Sequence, residues 1–405
     1  MSLRDPDIKI DSLSRAFEPK VLGKSSLSLP NCFIKAATYE GFYQNSLPTE
    51  ALTNHHVELA KGGVGLTTVS YGAVSSDART FEDQMFINSK SLPLLKELCD
   101  KVHEVDGKVS IQLTHCGFFS KNKECKSLLA PSKIFNAYGF LKGLIFSKPM
   151  SQSDMDQVKL EFSQAAKSVK NAGFDAIEIH MGHGYLLSQF LSPHTNKRKD
   201  QYGGSVENRS RYPMEVFRSI RQAVGSDFPV LVKLNLEDGF KNGFSIEDCI
   251  YVSSALVKEG CACVVLSGGF TSKTPFFMMR GDIPLQGMTK NATSLAEKIT
   301  MKFFGPLIIK KYPYSSSFFY DKALQVRRAV SGELAYLGGV DSKQSIEKIA
   351  GAGFQWIALA RPLIHDPEFL NKIKSGELEA SSCNRCNECI VEMDRGGVKC
   401  VLNES

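Results

Sequence analysis

Eight short apolar runs alternate with stretches of helical periodicity from one end of the chain to the other, and no other feature limits the possible folds as sharply. They lie at 33–37 (FIKAA), 65–70 (GLTTVS), 109–114 (VSIQLT), 176–179 (AIEI), 230–234 (VLVKL), 262–266 (ACVVL), 334–337 (LAYL) and 356–359 (WIAL). Short, mostly apolar runs of this kind are typical of strands buried on both faces of a parallel sheet. Between them, apolar residues recur at helical spacing over 52–61, 92–105, 154–172, 213–224, 246–259 and 342–350. Eight strands with helices between them is the count of an α/β parallel (β/α)8 barrel, the TIM barrel. An open doubly wound sheet is the alternative. It places a glycine-rich phosphate loop after its first strand, where this chain has Ala36-Ala37-Thr38.

Three additions to the bare barrel are expected. Residues 20–30 read as an N-terminal hairpin lid, and 270–320 as an elaborated strand 6 to strand 7 connection containing a helix near 295–302. A short Cys-rich C-terminal tail follows, so the expected division is a barrel over 1–378 and a tail over 379–405. Hydrophobic content of 42% and charged content of 23% argue against disorder. A net charge of +6 from 49 basic and 43 acidic side chains gives no reason to expect nucleic acid or a membrane as partner. The first residues lack the apolar core of a signal peptide, and no apolar run is long enough to cross a bilayer, so the expectation is a cytoplasmic protein.

Chemistry concentrates where strands hand over to helices. In strand-helix repeats, side chains just past the carboxyl ends of the strands are the ones free to react. His180, His183 and Tyr185 stand there after the fourth strand, and a spacing of three lets the two imidazoles share one side. Two N–H donors could hold an oxygen while the tyrosine gives a proton. A structural pair of histidines and a packed tyrosine is the competing reading. Gly338-Gly339 after the seventh strand and Ala360-Arg361 after the eighth occupy the place where barrels bind phosphate. Gln112 and Lys233 interrupt apolar strands, where a polar group needs a partner. They either face a polar ligand or cap the barrel interior.

The run EIHMGHGYLLSQFLSPHTNKRKDQYGGSVENRSRYPMEVFRSIRQAVG resembles the signature of the old yellow enzyme family, FMN-containing NADH:flavin oxidoreductases and ene-reductases. The likeness continues through LPNCFIKAA, GGVGLTTVS, IQLTHCG, FPVLVKLN, VVLSGG, LGG and IALARPLIHDP. It implies FMN over the strand ends, touched by Ala36, Ala37 and Thr38, by Gln112 and Lys233 at the pyrimidine edge, and by Gly338, Gly339, Ala360 and Arg361 at the phosphate. It further implies NAD(P)H as reductant and a small-molecule electron acceptor whose oxygen is held by His180 and His183, with Tyr185 as proton donor. The chain departs from the family at Tyr39, where a threonine or cysteine is usual, at Phe118 for arginine, at Met181-Gly182 for Gly-Ala, at Ala360 for glycine and at Lys233 for arginine. These changes bear on the pocket rim and the flavin potential. Tyr202-Gly203-Gly204 and Glu207-Asn208-Arg209 are assigned to loop shape.

Seven cysteines are scattered through the barrel and are expected as free thiols, whereas Cys383, Cys386, Cys389 and Cys400 crowd the tail. Their spacing resembles the iron-sulfur segment of larger members of the family; zinc, or four reduced thiols, are the alternatives. For the whole chain the expected activity is an FMN-dependent NAD(P)H oxidoreductase acting on an enone-like alkene or a quinone. A flavin binder with little turnover, and a phosphate-binding barrel of isomerase or aldolase type, are the competing readings.

Overall fold

The computed structural model describes residues 12–292 and 294–403. Its eight parallel strands are β1 (Phe33–Lys35), β2 (Leu66–Ala73), β3 (Val109–Thr114), β4 (Ala176–Met181), β5 (Val230–Asn235), β6 (Cys263–Ser267), β7 (Leu334–Leu337) and β8 (Trp356–Leu359). Each pairs with the next and β8 returns to β1, closing the barrel. β3, β4, β5, β6 and β8 are buried along their whole length, as strands walled by helices outside and packed side chains inside must be.

The outer layer includes α1 (Glu50–Lys61), α2 (Ser91–His103), α3 (Gln152–Asn171), a short α4 (Leu186–Leu191), α5 (Val206–Val224) and α6 (Ile246–Lys258). Capping boxes open two of them, Ser151 with Asp154 on α3 and Ser245 with Asp248 on α6. Loss of such a cap costs about 1 kcal/mol. α5 buries Tyr212, Val216, Phe217, Ile220 and Val224 on one stripe, each large side chain contributing about 2 kcal/mol.

This helix corrects two expectations. It begins at Val206, because the Ser205 side chain accepts from the Asn208 N–H, and Pro213 lies inside it and not at its start. Glu207-Asn208-Arg209 is therefore its first turn and not loop. Buried Arg209 ion-pairs with Asp248 at 2.9 Å and also donates to the Leu191 carbonyl, fastening α4, α5 and α6 together.

The β6 to β7 connection holds α7 (Leu285–Asn291) and α8 (Leu295–Ile308) before α9 (Tyr320–Ala329), so the helix expected near 295–302 runs six residues further, past Pro306. Strands Lys20–Val21 and Ser28–Leu29 form the expected hairpin. Its turn bonds to groups that precede barrel strands: Gly23 N–H to Glu333 at 3.0 Å and Ser26 N–H to Asp227 at 3.1 Å. The hairpin therefore covers the amino-terminal end of the barrel, opposite the strand ends that carry the chemistry.

Candidate active site

A cavity at the carboxyl ends of the strands is lined by all twelve residues singled out in the barrel sequence: Ala36, Ala37 and Thr38; Gln112 and Lys233; His180, His183 and Tyr185; Gly338, Gly339, Ala360 and Arg361. They divide into three parts.

On one wall, the end of β4 turns sharply into α4. His183 takes φ +59° and Gly184 φ +80°, and a Cβ on Gly184 would stand 2.5 Å from the Phe270 ring. Only glycine fits there. The turn is held by the His183 N–H donating to Asn235 Oδ1 at 3.0 Å, while His183 Nε2 meets Ser267 Oγ at 2.8 Å. His180 Nδ1 accepts from the Gly182 N–H at 3.4 Å, which leaves its proton on Nε2. Burial, reinforced by nearby Lys233, holds His180 neutral and lowers His183 to about 3. The rings of His180 and His183 lie 5.0 Å apart, and that of Tyr185 is 4.5 Å from His180. Burial raises the Tyr185 pKa, with the hydroxyls of Tyr71 and Thr80 partly opposing the rise. Tyr185 is thus a reservoir for a proton, not an anion.

Across the barrel, the Gln112 amide donates to Glu178 Oε1 at 2.6 Å, and Lys233 Nζ lies 3.0 Å from the same oxygen and 3.1 Å from the Ala37 carbonyl. Glu178 is the residue the sequence reading passed over: it sits within AIEI, and only the register of β4 against β3 reveals its partner. Ser70 and Tyr71 were missed as well. Both line the cavity although adjacent residues of a strand face opposite ways, because the β2–β3 register shifts between Val69 and Gly72. A bulge of this kind leaves little mark in sequence.

At the third part, Gly338 and Gly339 approach so closely that added Cβ atoms would stand 2.7 Å from Phe319 and Phe318. Arg361 is aimed by its bonds to the Arg280 carbonyl at 2.7 Å and Asn387 Oδ1 at 2.9 Å. The tail supplies more than Asn387. Arg385 ion-pairs with Asp341, which also accepts from Tyr314 at 2.6 Å, and Cys383, Cys389 and Met393 face the same cavity.

FMN fits these residues. Thr38 Oγ1 and Ser70 Oγ are buried at the cavity without a hydrogen-bond partner, a cation and an amide mark one edge, and an arginine with paired glycines marks the far end.

The four tail cysteines line one small cavity beside Arg361, with His365 Nδ1 3.2 Å from Cys400 Sγ. Among the described residues, however, no three or more His, Cys, Asp or Glu side chains are arranged to hold a metal ion. The four-ligand site that the spacing resembles is not formed among the described residues.

The NADH:flavin oxidoreductase / NADH oxidase family profile matches residues 16–268. A 4,4'-dithiodibutanoate disulfide reductase of Rhodococcus erythropolis is 35% identical over 393 residues, 96% of this chain and 95% of that one. A metal reductase of Desulforamulus reducens is 28% identical over 96% of this chain, which spans 54% of that protein's length. The crystal structure of Old Yellow Enzyme from Pichia sp. AKU4542 superposes with a TM-score of 0.71 at 22% identity, covering 92% of this chain and 90% of the other. These likenesses set aside the isomerase or aldolase reading. With eight strands closed, a cavity at their ends lined by residues that fit FMN and the family profile across more than half its length, the chain belongs to the NADH:flavin oxidoreductase / NADH oxidase family, the FMN-dependent NAD(P)H oxidoreductases of old yellow enzyme type.

Proposed function

We propose that the cavity carries out two half-reactions in turn: NAD(P)H reduces the flavin and leaves, and an electron-poor alkene of enone type, or a quinone, takes its place. The convergence of His180, His183 and Tyr185 on one wall of the cavity carries this reading. FMN bound there supplies the hydride carrier. The chain supplies the rest. His180 donates from Nε2 to the acceptor oxygen, and His183, whose Nε2 rests on Ser267, exchanges that contact for the same oxygen. Both imidazoles are neutral, so they hold the growing negative charge as hydrogen-bond donors without giving up a proton of their own. Hydride reaches the β carbon of an enone, the Tyr185 hydroxyl protonates the α carbon, and a saturated carbonyl leaves.

An organic disulfide is a second acceptor class, favoured by the disulfide reductase that aligns with nearly the whole chain. There, hydride reaches one sulfur, the S–S bond breaks, and the Tyr185 proton goes to the departing thiolate, giving two thiols.

Stopped-flow measurement of each half-reaction in Tyr185→Phe is the test. Acceptor reduction is expected to slow about 10²- to 10⁴-fold while flavin reduction by NAD(P)H keeps its rate. Equal loss in both half-reactions would remove the tyrosine from its role. A yellow protein that oxidises no NAD(P)H with enones, quinones or disulfides would refute the whole reading.

A further inference from the structure

Two exposed apolar surfaces lie outside the residues that line the cavity. The first is α8, where Leu295, Ile299, Phe303 and Leu307 recur every fourth residue and are 74%, 48%, 63% and 81% exposed. At about 100° per residue they form one continuous outward stripe, with Lys298 and Lys302 along its edge. The second is the loop from residue 134 to 147. It exposes Phe135, Phe140, Ile145 and Phe146, yet is firmly built. The Phe135 ring packs 5.7 Å from Phe146 and 5.9 Å from Phe140, and Asn136 donates to the Ser120 carbonyl at 2.7 Å and the Leu144 carbonyl at 3.1 Å.

The two surfaces share one rim. Tyr138 stacks on Phe119 at 4.4 Å, Phe119 lies 6.2 Å from Tyr185, and Glu297 of α8 is close enough to act electrostatically on both Tyr138 and Lys121. Charge follows the same map. Residues 121–148 carry six lysines and one glutamate, and 290–311 five lysines and one glutamate. Together they exceed the +6 of the whole chain, so the rest of the molecule is net acidic.

We propose that this rim docks on an anionic lipid bilayer, with the α8 stripe and the 134–147 aromatics entering the interface and the surrounding lysines meeting acidic headgroups. Apolar side chains bordered by lysine are the composition of interfacial helices. Among the described residues no helix is long and apolar enough to cross a membrane, so the attachment is peripheral. The sequence expectation of no membrane partner rested on total charge, which does not show how the lysines cluster beside these two apolar surfaces. The assignment stands whichever acceptor the site reduces.

The experiment is co-sedimentation of the FMN-loaded chain with vesicles of phosphatidylcholine alone or mixed with phosphatidylglycerol. Binding to mixed vesicles is expected to exceed that to phosphatidylcholine by about tenfold and to weaken in high salt. A triple variant, L295Q/I299Q/F303Q, and separately F140S/F146S, should lose about tenfold in binding while NAD(P)H oxidation with a soluble quinone is unchanged. Failure of the parent to bind mixed vesicles, or equal binding by parent and variants, overturns the proposal. So does a dimer of the parent that the triple variant splits, with no vesicle binding by either.

Discussion

Glu178 shows how a single side chain can govern a site from behind it. One of its oxygens receives both Gln112 and Lys233, so the carboxylate sets where the amide and the ammonium stand. Both ends of the ion pair are almost wholly buried, and removing one partner from such a pair costs about 3–5 kcal/mol, because the other charge stays behind unpaired. Glu178→Ala is therefore expected to lower stability by that order in denaturant titrations and to yield protein with less bound flavin at 450 nm. Unchanged flavin content would show that Gln112 and Lys233 need no anchor. His180, His183 and Tyr185 were legible in sequence because their types and spacing stand out where a strand meets a helix. Glu178 was not, since a carboxylate in an apolar run can be given a partner only once the strand register is known.

At the scale of elements, all eight strands and the crossover helix were legible from apolar runs and periodicity. Departures arose where tertiary contacts overrode local pattern: α5 starts early because Ser205 caps it, and the β2 bulge turns Ser70 and Tyr71 toward the cavity together. The tail was read as an appendage, yet Arg385 and Asn387 build the arginine end of the site. Arg385→Ala should release this segment from Asp341. Faster FMN dissociation and quicker proteolysis after residue 381 are expected, with a loss of barrel stability of about 1 kcal/mol or less. The β4–α4 turn gives the complementary case. Gly184→Ala forces a Cβ toward Phe270 at φ +80°, a strain of about 1–3 kcal/mol. Its expected mark is slowed acceptor reduction with normal flavin content.

Three buried histidines, His56, His115 and His180, and two partly buried ones, His55 and His183, couple the whole molecule to pH. Burial lowers His115 and His183 to about 3, and holds His55, His56 and His180 well below their ordinary value of 6.5. The unfolded chain takes up protons near 6.5 while the folded one does not, so their contribution to stability is complete above 6.5 and falls away as pH drops toward 3. Glu40, Asp238 and Asp394, raised by burial, act in the opposite sense, but they are three carboxylates against six histidines once His194, also lowered by burial, is included. The melting temperature should therefore fall between pH about 7 and about 5, whereas the rate of acceptor reduction should show no histidine step across that range. A second consequence comes from the order in which the chain is made. β8 is finished before residues 383–393 exist, so an emerging chain can close its barrel while the arginine end of the cavity still lacks a wall. Residues 383–393 thus act as a latch on a site whose other walls the barrel has already shaped.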